Sequence, residues 1–156
     1  TLDDYEVISG AWQFSDRRLS SGSGADNRIL LDCRPKDFSL SVWLKNADAA
    51  SGGTAKVLFR VQNSTDYYAL VVTRLDATHV SFGLYNGAVT LLVSGSATGV
   101  LADGLAVQVS AQGAELNASI NGVSVSVIDA SFEEGQIGFG SDDAAEFNDL
   151  AAIPVP

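Results

Sequence analysis

The stretch VLFRVQNSTDYYALVV at residues 57–72 carries three side chains suited to ligand binding. Arg60, Gln62 and Tyr67 alternate with apolar residues on either side of the polar segment NSTD. Guanidinium and amide groups exchange hydrogen bonds with neighbouring hydroxyls, and an aromatic ring stacks on the apolar face of a sugar. If these three side chains share an exposed face, the stretch predicts a binding site for a polyhydroxylated ligand.

The spacing predicts a β-hairpin in which NSTD is a four-residue loop and Gln62 pairs with Tyr67. Arg60, Gln62 and Tyr67 then lie on one face of the hairpin. The other face is predicted to join the core through Phe59, Val61, Tyr68, Leu70 and Val72. The same alternation places Trp43 of FSLSVWLKN and Tyr85 of SFGLYNG at outward positions. We therefore predict a ligand-binding face formed by Trp43, Arg60, Gln62, Tyr67 and Tyr85.

Period-two alternation of apolar and polar residues recurs along most of the chain and predicts strands. HVSFGLYNGAVTLLVSG contains the hairpin signal Asn86-Gly87, and LAVQVSAQGAELNASINGVSVSVID predicts a three-stranded meander. The first of these hairpins is predicted to direct Val80, Phe82, Leu84, Val89, Leu91 and Val93 into the core. Short strands separated by turn signals predict an all-β, two-sheet antiparallel β-sandwich, or jelly roll.

Length and charge limit the possible functions. A chain of 156 residues fits one module, and its formal charge of −10 argues against nucleic acid as a partner. No apolar run approaches the roughly 20 residues of a membrane span, so no membrane insertion is expected. The start at Thr1, the absence of methionine and the ending AAIPVP suggest that residues 1–156 are a module excised from a larger protein. Neighbouring domains of the same polypeptide are therefore expected partners.

Patterns that would indicate an enzyme are missing from the sequence. One histidine and one cysteine are too few for a usual zinc site, and no G-x-S-x-G motif accompanies His79. Jelly-roll glycosidases use two acids at alternate positions of one strand, but no strand here has E-x-D-x-E or E-x-D-x-x-E spacing. We therefore expect no catalytic residues.

Four segments, in order, resemble the concanavalin A-like, laminin-G-like jelly rolls of bacterial extracellular proteins. They are GAWQFSDRRL, DFSLSVWLKN, AKVLFRVQNSTDYYALVV and INGVSVSVIDASFEEGQIGFGSDDAAEFNDLAAI. The most specific pieces are F-R-x-Q with Y-Y, from Phe59 to Tyr68, and the ending SFEEGQIGFGS. Fructan-binding carbohydrate-binding modules and domains related to 3-keto-disaccharide hydrolases are branches of this group. The resemblance implies one concave and one convex sheet, sugar binding at the concave face or its rim, and secretion.

In such jelly rolls the first and last strands often run close enough to share a calcium ion. Asp3 and Asp4 of LDDYE and Asp149 of EFNDL offer the carboxylate oxygens that hard cations prefer. These acids are therefore candidate ligands of a structural Ca²⁺, and the alternative is that they are simply solvated.

Taken together, these patterns predict a secreted, noncatalytic, lectin-like carbohydrate-binding module that recognises a polysaccharide or glycan. Trp43, Tyr67 and Tyr85 would stack on sugar rings, while Arg60 and Gln62 would supply hydrogen bonds. One alternative is a structural or adhesion domain of a bacterial surface protein. The other is a glycan-cleaving enzyme domain, which the missing acid pair disfavours.

Overall fold

A computed structural model describes residues 4–46 and 54–154 of the chain as two antiparallel β-sheets. The first sheet contains, in spatial order, β1 (Tyr5–Ser9), β4 (Asn27–Leu31), β13 (Gln136–Asp142), β6 (Thr54–Val61), β7 (Tyr68–Arg74), β8 (His79–Asn86) and β9 (Thr90–Thr98). The second sheet contains β12 (Val123–Ile128), β11 (Glu115–Ile120), β10 (Leu105–Gln112), β5 (Phe38–Asn46), β14 (Ala145–Pro154), β3 (Arg18–Ser21) and β2 (Trp12–Ser15). The predicted two-sheet sandwich is confirmed.

The core lies between the sheets and is formed by every second residue of the central strands. Phe59, Leu70 and Phe139 from the first sheet face Leu40 and Phe147 from the second, and all five are fully buried. Removing such apolar surface from water stabilises the fold by about 25 cal/mol per Å². Among the described residues, no helix is both long and apolar enough to cross a bilayer.

The three-stranded meander predicted for residues 105–128 is confirmed, with its first turn at Gly113-Ala114 and with Val123 of β12 41% exposed. Val107 pairs with Ile120 and Val109 with Ala118, so the apolar side chains of β10 and β11 enter the core together. The loops at Gly113 and at Asn121-Gly122 adopt positive φ angles, which glycine and asparagine accept most readily.

The hairpin of β8 and β9 differs from its prediction. Asn86 pairs with Thr90 across a three-residue turn, and the register shifts between Leu84 and Tyr85. Val89 is 86% exposed and Leu91 is 49% exposed, so their predicted core positions are wrong. The extra turn residue and the register shift break the alternation that a two-residue loop would preserve.

The hairpin of β6 and β7 also departs from the predicted register, because β6 ends in a β-bulge. Phe59, not Val61, pairs with Tyr68, and the pairing of β6 with β13 shifts between Gln136 and Gly138. Arg60 adopts a φ of +48°, a left-handed conformation that is uncommon for a residue with a side chain. The bulge reverses the alternation after Phe59, so Val61 lies on the outer side of the sheet instead of in the core.

As a consequence, Arg60 is fully buried, and its predicted position on an exposed face is wrong. Its guanidinium donates hydrogen bonds to the Lys36 carbonyl oxygen at 2.9 and 3.2 Å and to the Phe132 carbonyl oxygen at 2.9 Å. The Asp37 carboxylate lies 3.5 Å from Nη2. Arg60 therefore joins β6 to two loops, one before β5 and one before β13.

We expect Arg60→Met to lower the free energy of unfolding by about 3 kcal/mol, because it leaves the Lys36 and Phe132 carbonyl oxygens without their charged donor. Arg60→Lys is expected to be destabilising too, since an ammonium group lacks the fork that reaches both carbonyls. Urea denaturation followed by tryptophan fluorescence measures both changes.

Arg18→Ala is the control for this experiment, because Arg18 is exposed and pairs with Glu146 at 3.5 Å on the second sheet. Its effect should stay below about 1 kcal/mol. An Arg60→Met loss no larger than that of Arg18→Ala would show that Arg60 does not anchor the two loops.

Candidate functional site

The outer face of the first sheet, which points away from the core, carries a second buried apolar cluster. Its members are Leu30, Leu58, Val61, Tyr67 and Ala69, with Val71 packed against them, and we call it the outer cluster. A sheet face in contact with water usually carries polar residues at such positions. The outer cluster therefore gives this face a small apolar floor.

Arg28 covers the aromatic part of this floor. Its guanidinium carbon lies 5.4 Å from the ring centroid of Tyr67, within the range of a cation–π interaction. Its Nε donates to the Asp26 carboxylate at 2.8 Å, and Nη1 donates to the Ser64 carbonyl oxygen at 3.1 Å. A guanidinium has five N–H groups, so three remain for a ligand or for water. Arg28 is thus held in place while it keeps most of its donors.

Asp142 supports this arrangement from the end of β13. Its carboxylate accepts hydrogen bonds from the Asp26 backbone N–H at 3.0 Å and from the Thr54 hydroxyl at 2.8 Å. These bonds, led by that from the Asp26 backbone and aided by the charges of Lys56 and Arg28, lower the pKa of Asp142 below its ordinary value. Asp142 therefore stays ionised and fixes the backbone of Asp26, whose own carboxylate holds Arg28.

Two depressions flank Arg28 and Tyr67, and both residues line each of them. The Gln62 depression has a volume of about 270 Å³ and is also lined by Glu6, Ile8, Leu30, Leu58, Val61, Gln62, Asn63, Ser64 and Gln136. The Tyr85 depression has a volume of about 220 Å³ and is also lined by Thr54, Lys56, Ala69, Val71, Tyr85, Gly87, Ala88 and Asp142. The face thus combines apolar surface with charged, amide and aromatic groups.

Two buried glycines of strand β13 lie beneath the middle of this face, where the neighbouring strands leave little room for a side chain. Gly138 lies between Leu30 and Leu58, and Gly140 lies between Arg28 and Lys56, on the neighbouring strands. Their neighbours Ile137 and Phe139 are buried in the core, so an added side chain at either glycine would project outward. A Cβ at Gly138 would lie 2.4 Å from the Ile29 carbonyl oxygen, whereas one at Gly140 would lie 3.2 Å from the nearest backbone atom, the Asn27 carbonyl oxygen.

The structure brings three of the five predicted binding residues to this face. Gln62, Tyr67 and Tyr85 line the depressions, although Tyr67 is only 5% exposed because Arg28 and the outer cluster cover it. Arg28 was missed because NRILL reads as a largely apolar strand. The alternation of Arg28 and Leu30 with buried Ile29 is the signal that could have found it.

Trp43 lies elsewhere, on the outer face of the second sheet. It is 42% exposed and sits over Gly104, where an added Cβ would lie 2.2 Å from the indole nitrogen. Its strand neighbours on β10 and β14 are Ala106 and Asn148. The prediction that Trp43 shares one face with Tyr67 and Tyr85 is therefore wrong, because the two sheets turn their outer faces in opposite directions.

Two of the three predicted calcium ligands, Asp4 and Asp149, lie within the residues that the structure describes, 4–46 and 54–154. No group of three histidine, cysteine or carboxylate side chains in these ranges could hold a metal ion. Asp4 is exposed and Asp149 lies 3.6 Å from the Arg17 guanidinium, while Asp3 falls outside the described residues.

No protein-family model matches this chain, and no curated protein matches it by sequence. Solved structures share its fold. Carbohydrate-binding module CBM66 from Bacillus subtilis superposes with a TM-score of 0.80 at 20% identity, covering 96% of this chain and 94% of the module. The VIP36 exoplasmic/lumenal domain, in a form bound to Ca²⁺ and Man3GlcNAc, gives 0.70 at 11% identity, covering 100% of this chain and 85% of that domain.

A β-1,3-1,4-glucanase (lichenase) from a mouse hindgut metagenome also has this fold, with a TM-score of 0.64 at 12% identity. The match covers 97% of this chain and 93% of the glucanase. Sugar-binding domains and a sugar-cleaving enzyme therefore share the fold, and the chemistry of the site must decide between their functions. The predicted resemblance to lectin-like jelly rolls is confirmed at the level of the fold.

The lowered pKa of Asp142 makes part of the stability depend on pH. The folded state holds the carboxyl pKa below its ordinary value of 3.8, so this contribution is complete above that value and is lost as the pH falls through the folded pKa. We expect Asp142→Asn to remove about 1 kcal/mol at pH 7 and to flatten the acid decline. Chemical denaturation between pH 2 and pH 7 measures both; parallel profiles for the two proteins would contradict the assignment.

Proposed function

We propose that this protein is a noncatalytic carbohydrate-binding module whose site is the outer face of the first sheet. The observation that carries the proposal is the pair of depressions on either side of Arg28 and Tyr67, over the apolar floor of the outer cluster. Apolar surface with a few fixed polar groups is the combination that sugar recognition requires. The fold shared with CBM66 supports it.

Each residue of the site has a distinct role in this proposal. The half-buried ring of Tyr85 would stack on the C–H face of a sugar ring, and Arg28 would donate hydrogen bonds to its hydroxyls. The Gln62 amide nitrogen donates to the Arg60 carbonyl oxygen at 3.0 Å and to the Glu134 carbonyl oxygen, which leaves its amide oxygen as an acceptor. Tyr67 positions Arg28. Because these groups are held before binding, little side-chain entropy would be lost on association.

The electrostatics of Asp142 argue against a glycosidase general acid at this position. A glycosidase needs one carboxylic acid that stays protonated near neutral pH, together with a second carboxylate close to it. Asp142 is the carboxylate that lines the Tyr85 depression, and its hydrogen bonds lower its pKa instead of raising it. A role as general acid is therefore disfavoured at this position.

Several broader parts of the proposal follow from the resemblance to the jelly rolls of bacterial extracellular proteins. The protein would be secreted, would form a single module within a longer polypeptide, and would bring its neighbouring domains to a polysaccharide or glycan. A structural Ca²⁺ held by Asp3, Asp4 and Asp149 is supported by the Ca²⁺-bound form of the VIP36 domain. A structural or adhesion role would use the same face against a neighbouring domain instead of a sugar.

A glycan array, backed by affinity electrophoresis on fructans, pectins, β-glucans and algal polysaccharides, tests the proposal. We expect one glycan class to be retained, with at least tenfold weaker retention by Arg28→Ala and Tyr85→Ala. This loss corresponds to about 1.4 kcal/mol, the value of one or two hydrogen bonds or a stacking contact. Parallel runs in CaCl₂ and in EDTA test whether binding or the melting temperature depends on calcium.

Trp43→Ala and Arg18→Ala are the matched controls, since both residues lie on the second sheet. Each should retain the glycan as well as the unmodified protein does. Loss of retention with Trp43→Ala alone would place the site on the second sheet. No retention by the unmodified protein would favour the structural or adhesion role.

A further inference from the structure

The candidate site is long compared with a single sugar ring. Its lining residues reach from β1 on one side to β8 on the other. In the order of the first sheet, these two strands are five strand spacings apart. At about 4.8 Å per spacing, the strands that contribute to the site span roughly 24 Å. The site therefore extends across the strands instead of forming one compact pocket.

The two depressions are distinct, but they meet at Arg28. Each has a volume below the roughly 300 Å³ at which pockets for drug-sized ligands begin, and together they lie within that range. Arg28 and Tyr67 belong to the walls of both depressions. A ligand that filled both would pass directly over the guanidinium, whose unused N–H groups suit the hydroxyl and bridging oxygens of a glycan.

The two depressions differ in their charged groups. Glu6 lines the Gln62 depression, and Lys56 lines the Tyr85 depression beside Asp142. A carboxylate accepts hydrogen bonds, whereas an ammonium group donates them. A chain lying across the face would therefore meet different partners in each depression, which would favour one direction of binding.

We propose that the site binds an oligosaccharide segment across the strands, with one sugar ring in each depression and Arg28 beneath the junction of the two rings. The ligand class is thus a chain of at least two linked sugars, not a single terminal sugar. This inference rests on the proposed function, because it assigns the ligand class of the same face.

The test is a length series, measured by isothermal titration calorimetry. The probes are fructo-oligosaccharides, cello-oligosaccharides and mixed-linkage β-glucan oligosaccharides of one to six units. For the series that binds, affinity should rise about tenfold between one and three units, because the second ring adds about 1.4 kcal/mol of hydrogen bonding and contact, and should then level off.

Glu6→Gln and Lys56→Gln test the two depressions separately, since each removes one charge and leaves an amide. Each variant should weaken binding of the longer oligosaccharides about threefold to tenfold and reduce the gain with length. Lys45→Gln is the control, because Lys45 carries the same charge on the second sheet, where it pairs with Glu146 in the register of β5 and β14. It should bind every length as the unmodified protein does.

The possible failures are distinct. A monosaccharide that binds as tightly as its hexasaccharide, or a Lys56→Gln variant that behaves as Lys45→Gln does, would overturn the two-ring assignment and leave the proposed function intact. No heat of binding and no retention for any length of any series would overturn both.

Discussion

The left-handed conformation of Arg60 is the constraint on which the candidate site depends. An ordinary strand would send Arg60 outward and Val61 into the core. The bulge instead buries the guanidinium against the carbonyl oxygens of Lys36 and Phe132 and moves Val61 to the outer face, where it joins the outer cluster. One backbone torsion thus fixes two loops and also supplies part of the floor of the Gln62 depression.

This bulge also explains why the site could be predicted only in part. Alternation along the sequence gave the correct strands, the two-sheet class and the meander of residues 105–128, because regular pairing preserves the parity of each position. A β-bulge adds one residue without any change in composition. The stretch around Arg60 contains no glycine or proline to mark it, so the parity argument carried Arg60 to the wrong face. It placed Tyr85 correctly, because Tyr85 pairs regularly with Ala69 of β7, whereas Gln62 reaches this face from the loop after β6.

Two further parts of the site depend on tertiary contacts that alternation does not encode. Sequence parity cannot say which strands share a sheet, so Trp43 was grouped with Tyr67 although their strands belong to opposite sheets. It also cannot foresee that Arg28 would lie on the Tyr67 ring and bury it. Arg60 was expected to supply hydrogen-bond donors on this face. Arg28 is the arginine whose guanidinium lies there, held by Asp26 and Ser64.

The glycines of β13 show how closely the shape of this face is tied to the backbone of β4. Gly138 is confined by the backbone of β4, because even a methyl group there would collide with the Ile29 carbonyl oxygen. Gly140 has slightly more room, but a methyl group there would still lie 3.2 Å from the Asn27 carbonyl oxygen, which would have to shift by a few tenths of an ångström. An added carbon at position 140 would therefore press on the backbone of β4 next to Arg28, so the shape of the Tyr85 depression and the placement of this guanidinium would change together.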